Sequence, residues 1–414
     1  MAVTTTDVAN DTPQVIETEI AVVGAGLTGL AAACALSQQG SDVVLAAPDV
    51  AGAGDTRSSA LLPPSVQLFE NLGIWSTCAA SSAPLRGVRI LDDGGGLLRA
   101  PEVLFHAHDI GRQDLGANVP NPALSRALRA KVTVALNLRR LPTAAVTTVE
   151  PRAGDVELRL AEGGRVRAAL VVAADGRHSL ARAAAAIPVS TWNYPQVAIA
   201  TSITHTRPHD GITSELQRRP GPLTTVPLPG LQSAVVWVEA PSEAARLATL
   251  AEDDFKAELE TRLQGLLGTI EAVGPRARFP LSGLSAARMA QARIALVGEA
   301  AHVIPPIGAQ GLNLGLRDVA ALADCVAEAR AAGRDPGSAE TLGAYVAARA
   351  LDVQSRALMV DLLNRSLISD FVPVQALRGL GLHLLAGSGW LRRLAMHSGA
   401  GAPGALPRLM RPRP

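Results

Sequence analysis

The residues best placed to do chemistry lie in a stretch poor in large side chains. It runs Arg293-Ile-Ala-Leu-Val-Gly-Glu-Ala-Ala-His302 and continues as Pro305-Pro-Ile-Gly-Ala-Gln-Gly-Leu-Asn-Leu-Gly315. The pattern predicts a buried strand, a carboxylate (Glu299) at its end, a Pro/Gly loop and a helix start. Such a loop lets backbone approach a ligand closely, and the helix start offers free N–H groups to anionic or electron-rich atoms. A second glycine loop, Gly24-Ala-Gly26-Leu-Thr-Gly29, follows the apolar run Ile20–Val23 and opens an alanine-rich helical stretch that stops at Gly40. In that context G-x-G-x-x-G is specific: Gly24 permits the tight turn, Gly26 admits a pyrophosphate, and Gly29 lets helix pack on strand. Two such loops can hold the two ends of one dinucleotide.

A third apolar strand, Leu170–Ala173, ends in Ala174-Asp175-Gly176-Arg177. The strand after the first helix, Asp42–Ala47, ends in alanine where a ribose-binding acid usually stands. Asp49 has roughly the expected spacing, about 20 residues past the last glycine, but it follows Pro48 and reads equally as a turn residue. His302, at a loop boundary, is an acid–base candidate whose ordinary reading is structural. Tyr194 and Trp192 could stack on an aromatic ligand or anchor a core.

The elements that must position these residues are interleaved. A meander of strands over 145–149, 156–160 and 166–173 turns at Glu162-Gly-Gly164. Residues 65–72 and 121–130 read as helical, 191–240 as β-rich, and the chain is helical after the 298 loop. The simplest division gives a dinucleotide-binding domain built from 17–95, 120–188 and 275–350. A β-rich domain of 96–119 and 189–274 is inserted, 351–414 forms C-terminal helices with a basic tail, and 1–16 is a flexible N-terminus.

Composition bounds the function. The chain has 414 residues, room for two domains, and a net charge of +1, which argues against a nucleic-acid footprint. Three isolated cysteines and eight histidines without ligand spacing predict no metal site and no dithiol centre. No secretory signal and no apolar run of about 20 residues is seen, so a cytoplasmic protein is expected. After Asp370 no acidic residue remains, while Arg378, Arg392, Arg393, Arg408, Arg411 and Arg413 interleave with leucines and Trp390. Basic amphipathic segments of this kind suit either an anionic membrane surface, here the inner membrane face, or the protein's own core.

Gly24–Gly29, Ala174–Arg177 and Gly298–His302, in this order, resemble the FAD-dependent aromatic-ring monooxygenases. Finer text resembles the ubiquinone-biosynthesis hydroxylases (UbiH/UbiF-like), notably 55–62, 84–92, Tyr194-Pro-Gln196, 221–230 and 305–318. The resemblance implies an α/β fold like para-hydroxybenzoate hydroxylase: a Rossmann-like FAD-binding domain from discontinuous segments, an inserted β-rich substrate domain and C-terminal helices. It implies hydroxylation of a polyprenylated aromatic ring through a flavin C4a-hydroperoxide, with NADH or NADPH as transient reductant. It also implies assembly with other ubiquinone-biosynthesis proteins.

By the same resemblance, Gly24, Gly26 and Gly29 hold the FAD pyrophosphate, and Arg57 lies beside the cofactor. Asp175 and Gly176 serve FAD and the visiting nicotinamide, while Glu299 accepts bonds from ribityl or ribose hydroxyls. Gly311, Leu312 and Asn313 present backbone to the isoalloxazine ring, and Pro306 lines its substrate side. Glu299 stands where the family usually has Asp, and Ala46 where an acid is usual. Two alternatives stay open: hydroxylation of a small soluble phenol, and a non-catalytic member of a biosynthetic complex.

Overall fold

The computed structural model describes residues 15–48, 55–93, 101–306, 310–368, 381, 383–400 and 405–413. Short apolar runs make the first sheet. Strand β1 (Val15–Val23) is flanked in parallel by β2 (Val43–Ala47) and by β4 (Arg165–Ala173). Leu138–Pro142 extends the sheet beyond β2, and β5 (Ile294–Leu296) extends it beyond β4, both parallel. Val43–Ala47 is buried throughout, as a strand covered on both faces must be. The meander forms as expected: Val146–Pro151, Val156–Leu160 and β4 pair antiparallel.

Helix α1 (Leu27–Gln38) buries Gly29 through Ser37 continuously. A helix apolar all round must be enclosed, and α1 is held between Asn121–Val134 and helix α2 (Gln310–Ala331). Helix α3 (Ala339–Ile368) packs on α2, and α4 (Gly389–Ala400) follows. Arg408–Met410 returns to the first core, where Leu409 and Met410 are buried.

The second sheet is mainly antiparallel, in the order 302–303, 277–286, 189–205, 232–239, 223–228, 212–217, 87–92, 103–106. Its core packs Ile199 and Trp237 of the sheet with Ala244 and Leu247 of the helix Pro241–Thr249 and Phe255 and Leu259 of the helix Glu252–Leu263. A small third sheet joins β3 (Ser58–Leu61), Ala83–Pro84 and Ala117–Pro120.

Three segments form strands or pairs that cross the boundaries of the sequence division. Gly87–Asp92 and Ala277–Ala286 were counted with the dinucleotide-binding segments, yet both hydrogen-bond in the second sheet, to 212–217 and 189–205. Val15 and Ile16, counted with the flexible terminus, are already strand. In each case the partner strand lies far away in sequence, so local pattern holds no record of the pairing. Residues 1–14 and the glycine turn at 94–96 lie outside the described residues.

Candidate functional site

The first sheet aligns the ends of its strands. Val23 is in register with Ala46 on one side and Ala173 on the other, and Ala173 is in register with Leu296. The chain therefore leaves β1, β4 and β5 at one edge, through Gly24, Ala174-Asp175 and Val297-Gly298-Glu299. Backbone bonds lock the exits: Gly24 N–H to Ala46 O (3.1 Å), Ala174 N–H to Val23 O (2.9 Å) and Val297 N–H to Ala173 O (3.0 Å). In open α/β sheets, ligands bind outside these carboxyl ends.

The glycines divide by what surrounds them. Gly24 has φ +103°, and a Cβ there would lie 2.3 Å from the Ala174 carbonyl oxygen. A Cβ on Gly29 would lie 2.1 Å from the Gly24 oxygen. These two let the first and second motifs touch. At Gly26, the N-cap of α1, a Cβ would meet nothing within 4 Å. No side chain caps that helix and no acid stands in its first turn, so its N–H groups and positive dipole end remain available to an anion. Thr28 joins the third motif, since a Cβ on Gly298 or on Gly315 would come 3.0 Å from its Oγ1.

Asp175 sits where the first two motifs meet. Its Oδ2 accepts from Ala181 N–H at 3.2 Å, and its buried Oδ1 has no partner. An orphaned buried carboxylate oxygen costs free energy unless a ligand donor reaches it. Gly176 follows at φ +81°, with open space about its Cβ position. Together the uncapped helix, the open cradle at Gly26 and the orphaned oxygen fit a dinucleotide with hydroxyl donors.

Glu299 lies in the turn Gly298–Ala300, 58% exposed, with Arg177 Nε 3.7 Å from its carboxylate. Arg57 is gripped by both oxygens of Asp55 (2.7 and 2.9 Å) and lies 5.0 Å from the centre of the Phe279 ring. The bond to Asp55 raises the Arg57 pKa against burial, with a smaller contribution from Glu299. Burial pushes Asp55 up, but bonds from Arg57 and Asn121 outweigh it and hold the carboxyl below its usual range. Glu299 and Arg57 therefore face one region, and Asp55 orients Arg57.

Asn313 uses its side chain to join elements. Its Oδ1 accepts from Leu62 N–H, and its Nδ2 donates to the Ala60 carbonyl, both at 2.8 Å. The first turn of α2 is thereby fixed to β3, the strand that follows Arg57. Gly311 is exposed with open space around it, and Leu312 packs partly against the first core. Pro306 is exposed. Asp49 lies outside the described residues, as do 307–309.

His302 is placed inward. Its Nε2 lies 2.7 Å from Asp318 Oδ2 in a buried pair. The same Asp318 oxygen accepts from Gly298 N–H (3.0 Å), and Oδ1 accepts from Arg349 (2.8 Å). Arg349 passes on to Asp352 (2.7 Å), which also takes Arg356 (2.7 Å) and Arg317 (3.2 Å). Burial opposes ionisation of Asp318, but His302 and Arg349 outweigh it and hold the carboxyl low. Burial, reinforced by Arg356, brings the Arg317 guanidinium down to about 10. This network fixes the turn that carries Glu299. Asp318 belongs to the motif text at 305–318, yet nothing in its local pattern distinguishes a hub from a surface acid.

The aromatic candidates are structural in their contacts. Trp192 donates to Tyr194 Oη (2.6 Å), which donates to Asp361 (2.6 Å). Burial and then Asp361 push the Tyr194 phenol up to about 12. Among the described residues no cluster of histidine, cysteine and carboxylate could hold a metal ion.

The FAD binding domain family matches residues 17–358. A ubiquinone hydroxylase, UbiL, of Rhodospirillum rubrum is 35% identical, covering 95% of this chain and 92% of that protein. The 3-demethoxyubiquinol 3-hydroxylase of Escherichia coli is 32% identical, over 92% and 97%. In fold, p-nitrophenol 4-monooxygenase from Pseudomonas putida superposes with a TM-score of 0.77 at 17% identity, covering 95% of this chain and all of that one. Klebsiella pneumoniae HpxO, solved with FAD, gives 0.72 at 21% identity, over 92% and 98%. The chain belongs to the FAD-binding family of flavin-dependent monooxygenases.

Proposed function

We propose that this enzyme uses NAD(P)H and O2 to hydroxylate the aromatic ring of a polyprenylated ubiquinone precursor. The observation that carries the reading is the convergence of three motif loops at one sheet edge. The UbiL relative supports the choice of substrate class, since the likeness runs along nearly the whole of both chains. FAD, when bound, supplies hydride acceptance and activation of O2; the chain's own residues bind, orient and exclude water.

In this reading Gly24, Gly26 and Gly29 with the α1 N-terminus take the pyrophosphate, and the orphaned Asp175 oxygen takes a hydroxyl donor, with Gly176 leaving room for the nicotinamide. Glu299, one methylene longer than the usual Asp, accepts from the ribityl chain while Arg177 steadies it. Gly311, Leu312 and Asn313 back the flavin ring, Arg57 flanks it, and Pro306 faces the substrate. His302 acts through Asp318 on the Glu299 turn.

The described helices include none long and apolar enough to cross a membrane. An apolar substrate would instead be met at a surface. On α4, Trp390 (63% exposed), Arg393 and Leu394 (50%) share one face, while Met396 is buried against Val103 and Phe105. That outward set of aromatic, basic and aliphatic residues suits the interface of an anionic bilayer.

The test is turnover with isotopically labelled O2 on a polyprenyl phenol and on a short-chain phenol. The reading expects one labelled oxygen in the ring and at least tenfold greater kcat/KM for the polyprenyl compound. NAD(P)H oxidation that yields only hydrogen peroxide with both compounds would refute it.

A further inference from the structure

Helix α3 buries charge alongside Leu342, Tyr345, Val353 and Val360. Its charged residues Arg349, Asp352 and Arg356 are buried, whereas Leu351, Leu358 and Leu362 are 66%, 60% and 58% exposed. At about 100° per residue these leucines lie about 120–180° around the helix from Arg349 and Arg356, and about 80–120° from Asp352. From Gly343 to Leu362 every exposed residue whose side chain is described is uncharged. This face, about 30 Å long at 1.5 Å per residue, exposes small or apolar residues except at Gln354 and Ser355 near its middle, and an exposed apolar face marks an interaction site.

Its two halves differ. The first exposes small residues, Gly343 and Ala347 among them; the second exposes Leu358 and Leu362. Charges stand only at the ends. Glu340 is 69% exposed and Arg365 62%, each also paired within its own chain, to Arg334 and Asp361.

We propose that α3 is a homodimer interface, two copies packing antiparallel about a twofold axis between positions 352 and 353. That register sets Glu340 against Arg365, Gly343 against Leu362, and Ala347 against Leu358 of the second copy. Leucines of one helix enter the space left by glycine and alanine of the other, and opposite charges meet at both ends. A twofold contact must be self-complementary in this way. A parallel pairing would oppose leucine to leucine and like charge to like charge. Lipid is the poorer occupant, because half of the face offers little apolar bulk and the uncharged stretch carries no basic residue. One helix face is smaller than the roughly 800 Å² per partner of a standard interface, so the dimer belongs with the weak, reversible ones.

The test is sedimentation velocity of the FAD-loaded full chain across a hundredfold range of micromolar concentration. Wild type should pass from monomer to dimer. The variant Leu358→Glu with Leu362→Glu should remain monomeric, with its helical circular dichroism and FAD binding unchanged. Because two buried-interface glutamates could also disturb folding, a second measurement uses Ala347→Cys with Leu358→Cys. On mild oxidation this pair should give at least tenfold more disulfide-linked dimer than Leu358→Cys alone. The native cysteines are buried or half-buried and are poor competitors. Glu340→Arg should weaken the dimer, and adding Arg365→Glu should restore it. A wild type monomeric at every concentration, or equal cross-linking by the single and double cysteine variants, would overturn the proposal. So would α3-dependent binding to anionic vesicles by a chain that stays monomeric.

Discussion

At the scale of single residues, Asp318 and the glycines separate what holds the site from what fills it. Asp318 bonds His302, Arg349 and Gly298 N–H while fully buried. Replacing it by Asn removes the carboxylate that pairs with His302 and one of the two that hold Arg349, the other being Asp352. Breaking one side of a buried ion pair costs about 3–5 kcal/mol, so Asp318→Asn should lower unfolding stability by that order in urea titration. The pH dependence has a definite sign. The native state holds the Asp318 carboxyl low, so the unfolded state binds protons more tightly. Its stabilisation is complete above the ordinary carboxylate pKa of about 4 and is lost as pH falls through the native value. The variant should therefore show a shallower acid limb; parallel limbs would remove Asp318 from this role.

Glycine substitutions give the complementary contrast. Gly24→Ala drives a Cβ into the Ala174 carbonyl at φ +103° and should unfold or strongly destabilise the protein. Gly26→Ala, with open space around it, should leave the melting temperature of the FAD-free protein within a few degrees. It should weaken FAD binding at least tenfold, because the methyl occupies the approach of the pyrophosphate. Equal FAD affinity in Gly26→Ala and wild type would move the cofactor elsewhere.

At the scale of elements, the pieces read most easily were those fixed by local pattern. Helix α1 follows from the alanine run between Gly29 and Gly40, and the meander from alternating residues about a Glu-Gly-Gly turn. The glycine motifs were legible for the same reason, since their spacing lies within one short stretch, where Gly24 supplies the positive φ and Gly29 the close approach. Sheet membership was not. Gly87–Asp92 pairs with 212–217 across more than a hundred residues, and only the assembled second sheet selects that partner. The inward pairing of His302 was equally hidden, because Asp318 reaches it only once α2 has packed. Asn313 is an element-scale link between α2 and β3. Asn313→Ala removes two hydrogen bonds of about 0.5–1.5 kcal/mol each and leaves Leu62 N–H unsatisfied. Differential scanning calorimetry should show a loss of about 2–3 kcal/mol, with weakened flavin binding because the strand beside Arg57 loosens. A melting temperature equal to that of wild type would deny the link.

At the scale of the whole molecule, a parallel sheet brings three motif loops to one edge, a second sheet packs beside it, and the outer helices carry the surfaces we propose for larger partners. Trp390→Ser with Leu394→Ser should cut sedimentation with anionic vesicles severalfold while leaving turnover of a detergent-solubilised substrate intact; undiminished vesicle binding would exclude α4 as the contact. The central claim is that the three motif loops form one FAD site, and the visible absorption spectrum of purified protein titrated with FAD tests it most directly. The account predicts a two-band flavin spectrum, displaced from that of free FAD and saturating near one FAD per chain. No displacement and no saturation, even at high FAD with a folded protein, would contradict it.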